Sequence, residues 1–231
     1  MPDKKDCPIC NNESNLRITK GITKYYQCCN CKSLFCEPLN QEGLVGGEHE
    51  VERNEHQNHL RVARAVEILN GIPIEQTSIL DFGCGAGLLI DDLNKAGYPN
   101  VTGYDSYNEK YLRLPEKEKY HLIIMVEVAE HFSAPYIEFD VAYRSLVNGG
   151  CIMIETGYLD AAFDDGHTID DWFYLNPDAG HSTIYSNHGI DILMMSKGFR
   201  VKPFFNNYVR LYQKVIYPNL KGKGFGSQHS Q

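Results

Sequence analysis

The stretch "SILDFGCGAGLL", Ser78 to Leu89, decides the fold. A short apolar run meets an acid at Asp81, and glycines then follow at alternate positions, Gly83, Gly85 and Gly87. The next residues, "AGLLIDDLNKAG", carry a helical pattern that stops at Gly97, so the segment reads as strand, tight turn and helix. Working outward, the same alternation repeats. "VTGYD" is a second strand, and "YHLIIMVEV" a third, apolar on both faces as a covered parallel strand should be. "APYIEFDVAYRSLVNGG" is a helix with a Gly-Gly stop, "CIMIET" a further buried strand, and "SNHGIDILMMSKG" another helix. "FRVKPFFN" and "YVRLYQKVI" pair as a hairpin through Asn206-Asn207. Alternating strands and helices predict an α/β doubly wound sheet, and the terminal hairpin places one antiparallel strand near an edge.

In an open sheet of this kind, ligands bind beyond the carboxyl ends of the strands, near the switch in strand order. The glycines sit there. Their spacing is G-x-G-x-G, with Leu88 where a dinucleotide fingerprint would have its third glycine in register. A carboxylate at Asp81 would repel a pyrophosphate and suits a ligand carrying an ammonium and a sulfonium. Asp105 closes the second strand about twenty residues on, where an acid can hold ribose hydroxyls. A nucleoside with a cationic tail and no phosphates describes S-adenosylmethionine. Cys84, between the glycines, reads as a small residue in a tight turn.

"ILDFGCGAG", "VTGYD" and "LIIMVEVAEHF" resemble the first, second and fourth motifs of the class I S-adenosylmethionine-dependent methyltransferases, over roughly the last three-quarters of the chain. The resemblance implies a Rossmann-like seven-stranded sheet, in full or shortened form, with its last strand antiparallel. It also implies cofactor contacts from Asp81, Gly83, Gly85, Gly87, Asp105 and Glu127. One departure stands out. "SYNEKYLRLPEKEK", between Asp105 and Tyr120, is too short for the usual third strand and its crossover. The turn at Leu112 to Leu114 is the expected neighbour of adenine.

Of eight cysteines, six precede residue 37. Cys7 and Cys10 form one C-x-x-C hook and Cys28 and Cys31 a second, a zinc-ribbon pattern that closes a tetrahedral structural zinc site. "LRITKGITKYYQC" between the hooks reads as a hairpin turning at Gly21. A module this short needs the metal to fold, whereas the domain after it has a core of its own. Cys29 is the competing ligand for Cys28, and Cys36 reads as packing. A zinc ribbon ahead of the main domain also resembles an arrangement known in this superfamily.

"VEVAEHF" places Glu127 at the carboxyl end of the third strand, with Glu130 and His131 in the next turn. "NPDAGHSTIYS" brings His181 after the strand that follows. This set resembles the metal-dependent members of the superfamily, among them enzymes that methylate RNA ribose 2′-hydroxyls or catechol hydroxyls. There Glu127, Glu130, His131 and His181 would hold magnesium or another divalent ion. In metal-free relatives a Glu-His pair positions acceptor or cofactor, and His131 acts as base or orienting residue. The expected catalytic set is His131, Glu127 and His181. Trp172, Phe173, Tyr174 and Tyr185 fall over the expected cofactor mouth and serve either as an acceptor lining or as the core of a flap.

Net charge is −8, which argues against a broad nucleic-acid surface. The acidic run Asp164 to Asp171 would repel RNA near the mouth. The first expectation is therefore a methyltransferase acting at oxygen on a small acceptor: a sugar, polyol or phenol. A nucleic-acid methyltransferase gripping its strand with Lys20, Lys24, Tyr25 and Tyr26 is one alternative, and a catalytically inert binding module is the other. No apolar run is long enough to span a membrane, and the N-terminus lacks a signal peptide's apolar core, so the expected compartment is the cytoplasm. The expected units are a zinc ribbon at 1–40, a methyltransferase domain at 48–218 and a loose tail at 219–231. A helix from Asn54 presents Leu60, Ala63, Ala65, Val66 and Leu69, with His49, His56 and His59 on a solvated polar face.

Overall fold

The computed structural model of the chain describes residues 4–38 and 48–215, with side chains left out at 48–56 and 204. The expected join at 41–47, the expected tail and the side chains of His49 and His56 lie outside these residues.

After four strands in the cysteine-rich segment, parallel strands β5 (Ile79–Phe82), β6 (Val101–Tyr104), β7 (Tyr120–Val126) and β8 (Leu146–Glu155) form the centre of the main sheet. The closing hairpin, β10 (Phe199–Asn206) and β11 (Val209–Lys214), completes it. The order is β10-β11-β8-β7-β5-β6, with β11 antiparallel to β8. This six-stranded sheet is the shortened form. The link from Asp105 to Tyr120 is too short to add a strand outside β6, and it holds only a 3-10 turn at Glu109–Tyr111. Every residue of β5 is buried, as are Leu122, Ile123, Ile124 and Met125 in the middle of β7. Such double-faced burial suits strands covered by helices on both sides, and each of these aliphatic side chains contributes roughly 1.5–3 kcal/mol by leaving water. The carboxyl ends are in register: Phe82 lies opposite Tyr104 and Met125, and Val126 opposite Glu155. The order reverses between β5 and β7, so the switch point falls at the glycine turn.

Helix α1 (Glu48–Ile68) and helix α2 (Leu88–Lys95) cover one face. α2 buries Leu89, Ile90 and Leu93. The buried stripe of α1 differs from the expected one. Ala65 and Leu69 are buried, but Leu60 and Val66 are about half exposed, and Asn58 and Arg61 take the inner positions instead. These polar groups can go inside because partners await them. Asn58 donates to Asp92, and the Arg61 guanidinium holds the Glu155 carboxylate at 2.7 Å.

Helix α3 (Pro135–Ser145) ends before its expected Gly-Gly stop, and β8 starts at once with Leu146. Gly149 (φ 80°) and Gly150 instead lie at an irregularity in the β7–β8 register, where a Cβ on Gly150 would approach the Tyr120 carbonyl to 3.0 Å. Short helix α4 (Leu159–Asp164), strand β9 (Thr183–Ile184) and helix α5 (Asn187–Ser196) follow β8. α5 is capped by Ser186, whose hydroxyl accepts from Gly189 N.

The ribbon strands are β1 (Lys4–Asp6), β2 (Glu13–Lys20), β3 (Thr23–Cys28) and β4 (Leu34–Glu37). β2 and β3 turn at Gly21, which has φ 61°. A fifth strand joins them from far along the chain: β9 pairs with β4, Leu34 opposite Ile184 and Phe35 opposite Thr183. The expected Lys-Tyr stacking patch does not form, because Tyr25 and Tyr26 are buried. Tyr25 belongs to one hydrophobic cluster with Trp172, Tyr174 and Leu175, and Tyr26 to another with Phe139 and Tyr185.

Candidate active site

All three glycines of the turn have positive φ: 81° at Gly83, 51° at Gly85 and 87° at Gly87. They differ in what surrounds them. A Cβ on Gly83 would strike Val128 at 2.5 Å, and one on Gly87 would run into the Tyr111 hydroxyl. Beside Gly85 there is open space. The turn therefore packs tightly against its neighbours at both ends and presents bare backbone in the middle, as close approach of a ligand requires.

Asp105 secures this turn. One of its carboxylate oxygens accepts from Gly85 N at 2.9 Å, and the other from Tyr107 N and Asn108 N at 2.8 and 3.0 Å. Asn108 Nδ2 donates back to the Gly85 carbonyl at 2.7 Å. Leu112 and Leu114, expected near adenine, point into solvent. Tyr111 is the residue that closes over the turn, packed against both Gly87 and Gly103. Asp81 is buried beneath. Burial pushes its carboxyl up to about 7, opposed by the nearby Arg61 charge and reinforced by Asp105.

Val128 ties the glycine turn to the segment after β7. Glu127 there has a left-handed backbone, φ 52°, and its N–H donates to the Glu155 carbonyl at 2.9 Å. Strain of this kind costs about 1–3 kcal/mol and concentrates at functional sites. A 3-10 turn, Ala129–His131, follows. Glu130, His131 and His181 come together, with one ligand atom of each within 4.8 Å of the others. Glu127 is not part of that group. Of the expected four-ligand set, Glu130, His131 and His181 are thus the three whose ligand atoms lie this close.

The details of the trio are chemically specific. Glu130 is fully buried and accepts hydroxyl hydrogen bonds from Thr156 at 2.7 Å and Tyr174 at 2.5 Å. Burial, followed by the Glu130 and Glu127 charges, keeps the Tyr174 hydroxyl protonated far into alkali, so it remains a donor. His131 Nδ1 meets the Gly180 carbonyl at 3.2 Å, and His181 Nδ1 meets the Tyr174 carbonyl at 2.6 Å. A carbonyl only accepts, so each Nδ1 is the donor, which in an uncharged ring leaves Nε2 as the acceptor. His131 Nε2 stands 4.0 Å from the Glu130 carboxylate, and the two imidazole centroids are 5.0 Å apart. The sequence places Tyr174 among the flap aromatics without a hydrogen-bonding role and does not single out Thr156. Its only signal is its place at the carboxyl end of β8.

The ribbon holds this flap. Tyr25 donates to the His181 carbonyl at 2.9 Å, Cys36 N to the Ser182 carbonyl at 2.9 Å, and Ser186 N to Ser33 Oγ at 3.0 Å. On the opposite side Ser182 N donates to the Glu130 carbonyl at 2.9 Å and Tyr185 to the Ala129 carbonyl at 3.0 Å. Residues 181–186 are therefore clamped between the ribbon and the Glu130 turn.

Cys7, Cys10, Cys28 and Cys31 form a second cluster, their Sγ atoms all within 4.8 Å of one another. Cys29 is exposed and accepts instead from Asn15, and Cys36 is buried beside the His181 carbonyl. Hydrogen bonding from Cys7 pulls the Cys31 thiol down to about 5, while Cys7 itself is raised. Four thiols drawn this close fit a tetrahedral cation.

The family model described as a methyltransferase domain matches residues 54–202, well over half of the 231-residue chain. The chain belongs to the methyltransferase-domain family. The matched span of this methyltransferase runs from α1 into β10 and leaves the ribbon strands β1–β4 outside. Over 139 residues it is 26% identical to a ribosomal protein L11 methyltransferase of Shewanella denitrificans, covering 52% of this chain and 47% of that protein. A second L11 methyltransferase, from Vibrio vulnificus, is 27% identical over 124 residues, covering 46% and 42%. The chain thus matches less than half the length of these curated relatives. Among solved structures, a SAM-dependent methyltransferase from Archaeoglobus fulgidus superposes with a TM-score of 0.52 at 16% identity, over 69% of this chain and 79% of that one. That likeness concerns the fold. No helix among the described residues is long and apolar enough to cross a membrane.

Proposed function

We propose that this methyltransferase transfers the S-adenosylmethionine methyl group to a hydroxyl of a small-molecule acceptor, with His131 receiving the hydroxyl proton. The observation that carries the reading is the pair of imidazoles whose Nδ1 atoms are tied to main-chain carbonyls beside buried Glu130. Val128 joins this group to the glycine turn. In the reaction the acceptor oxygen attacks the methyl carbon, the carbon–sulfur bond breaks, and sulfur leaves as a neutral thioether. The hydroxyl proton passes to Nε2 of His131. A hydroxyl is a poor nucleophile until it loses that proton, so a base fixed in one tautomer is what O-methylation demands. Alignment of oxygen, carbon and sulfur supplies much of the remaining rate. Asp81 would serve the cationic end of the cofactor, bare Gly85 would receive its body, and Asp105 would hold the ribose hydroxyls.

Glu130, His131 and His181 also fit a divalent ion. Metal-bound imidazoles commonly donate their other N–H to a carbonyl, as both do here, and a carboxylate oxygen can accept a hydroxyl and still offer a lone pair. Two imidazoles and one carboxylate suit zinc, iron, cobalt or manganese better than magnesium. Such an ion would lower the acceptor hydroxyl's pKa. Cys7, Cys10, Cys28 and Cys31 are proposed to hold a structural zinc.

The nucleic-acid reading loses its stacking platform with Tyr25 and Tyr26 buried, which favours the small acceptor. Incubation with methyl-labelled S-adenosylmethionine and a panel of hydroxylated and aminated small molecules tests the proposal. Label should pass to a hydroxyl, and His131→Ala should lower the rate on the order of 10²–10⁴-fold. Transfer to amines alone, unaffected by His131→Ala, would overturn it. Sensitivity to a chelator that leaves the ribbon zinc in place separates the metal-assisted from the metal-free form.

A further inference from the structure

Between the β2–β3 turn and the flap lies an open cleft of about 720 Å³. Lys20 to Thr23 wall it on the ribbon side, and Phe173 with Leu175 to Asp178 on the flap side. Its volume is in the range of small-molecule sites, roughly 300–1,000 Å³. Two large apolar side chains line it while standing mostly in water: Ile22 is 85% exposed and Phe173 71%. Phe173 does not wander there for lack of support. Its neighbours Trp172 and Tyr174 are buried and stacked at 5.2 Å, and Leu175 is buried too. The flap is anchored on both sides of Phe173, which leaves an aromatic ring presented outward on a fixed base.

The polar lining has a distinctive make-up. Lys20 offers a cation, Asp178 an anion and Asn176 an amide. No ion pair joins Lys20 to a described carboxylate. An anionic ligand would meet Asp178 as well as Lys20. A purely aromatic one would leave three hydrogen-bonding groups facing apolar surface, at a cost. A ring bearing several hydroxyls satisfies all of them, because each hydroxyl can donate to Asp178, accept from Lys20, or do both with Asn176. The apolar face of such a ring covers Phe173.

One segment is shared between the cleft and the candidate active site. Residues 173–181 line the cleft with Phe173 and Asp178, and the same stretch supplies the Tyr174 hydroxyl to Glu130 and the Tyr174 and Gly180 carbonyls to the two histidines. The His181 N–H returns to the Asn176 carbonyl. We propose that this cleft is an acceptor subsite that binds a neutral glycosyl ring, and that the ribbon turn is thereby a specificity element of the enzyme. The proposal takes its purpose from the methyltransferase reading, but the binding itself is measurable without turnover.

Trp172 is the only tryptophan of the chain, and its position beside Phe173 makes its emission a reporter of the cleft. The test titrates the full-length protein with methyl α-glucoside and with maltotriose, using catechol and inorganic phosphate as contrasts. Both sugars should give a saturable change in emission, tighter for the trisaccharide. The apparent affinity should fall at least tenfold in Phe173→Ala and in Asp178→Ala, whose exposed side chains leave folding intact. S-Adenosylmethionine binding, followed by calorimetry, should be equal in all three proteins. No saturable sugar response, a response unchanged in Phe173→Ala, or saturation only by catechol or phosphate would each overturn the subsite. Loss of cofactor binding in the wild-type protein would instead strike the methyltransferase reading and leave the sugar result standing.

Discussion

With the cofactor contact proposed for Asp81, one side chain would couple cofactor binding to pH. An acid whose pKa is near 4 in the unfolded chain and about 7 in the fold binds its proton more tightly when folded. Its protonation therefore favours the fold at low pH, and that contribution is lost as pH rises from about 4 through about 7. Asp81→Asn removes the burial penalty of the ionised form. The variant should melt higher than wild type at pH 8, by on the order of a few kcal/mol in stability, with the gap closing toward pH 4. Cofactor binding should show the opposite face of the same group. The ammonium and sulfonium favour the carboxylate, so wild-type affinity for S-adenosylmethionine should rise from about pH 5.5 to about pH 7.5. In Asp81→Asn it should be weak and flat, as calorimetry across that range would reveal. An affinity that falls with pH in the wild type would remove Asp81 from the cofactor's cationic end. The acid before the glycines was legible in the sequence because its place in the turn fixes its surroundings. The pull of Asp105 on three backbone N–H groups was not. It depends on how the short link to Tyr120 folds back, and nothing local in "SYNEKYLRLPEKEK" specifies that path.

At the scale of elements, the strands read clearly because β5, β7 and β8 are nearly continuous apolar runs. The α1 stripe misled, since its inner face is polar and waits on distant partners. Arg61 and Arg64 both grip Glu155, at 2.7 Å each, with all three side chains largely out of water. Glu155 in turn anchors Glu127 through its carbonyl. Glu155→Gln would leave two guanidinium groups facing an uncharged amide, so it should cost about 3–5 kcal/mol of stability in chemical denaturation. A loss under 1 kcal/mol would mean that the arginines find solvent easily. Strand β9 was invisible for a different reason. "HSTIYS" has two apolar residues and no pattern, and it becomes a strand only because β4 is there to pair with it. The consequence concerns His181, whose carbonyl is held by Tyr25. Tyr25→Phe removes that one bond from a buried ring. We expect turnover of any accepted substrate to fall several-fold, with S-adenosylmethionine affinity unchanged and the His181 ring signals shifted in NMR. Unshifted signals would show that the flap holds His181 unaided.

For the whole molecule the decisive fact is where the ribbon's apolar side chains go. The sequence suggests a metal-stapled module beside a domain with its own core, because cysteine spacing is local and shared packing is not. In the structure Cys7, Ile9, Tyr26, Cys28 and Phe35 lie in one buried cluster with Phe82, Phe132, Phe139 and Tyr185. Tyr25, Leu34 and Cys36 lie in another with Trp172, Tyr174 and Ile184. The β4–β9 pairing adds backbone hydrogen bonds across the same boundary. A short ribbon folds on the free energy of metal binding, so removing the zinc proposed for Cys7, Cys10, Cys28 and Cys31 should release β4 and uncover the flap's inner face. The ribbon's own Tyr26 and Phe35 share the core of the larger sheet with Phe82, Ile123 and Ile152, so their exposure costs stability far from the metal. Cys28→Ser, or chelation strong enough to strip four thiolates, should therefore lower the single thermal transition of the chain as a whole. A loss of several kcal/mol corresponds to a fall in Tm on the order of 10 °C for a protein of this size. Calorimetry with zinc analysis on the same samples checks it. Two separate transitions, with the upper one indifferent to zinc, would show that the sheet and the ribbon fold as independent units after all.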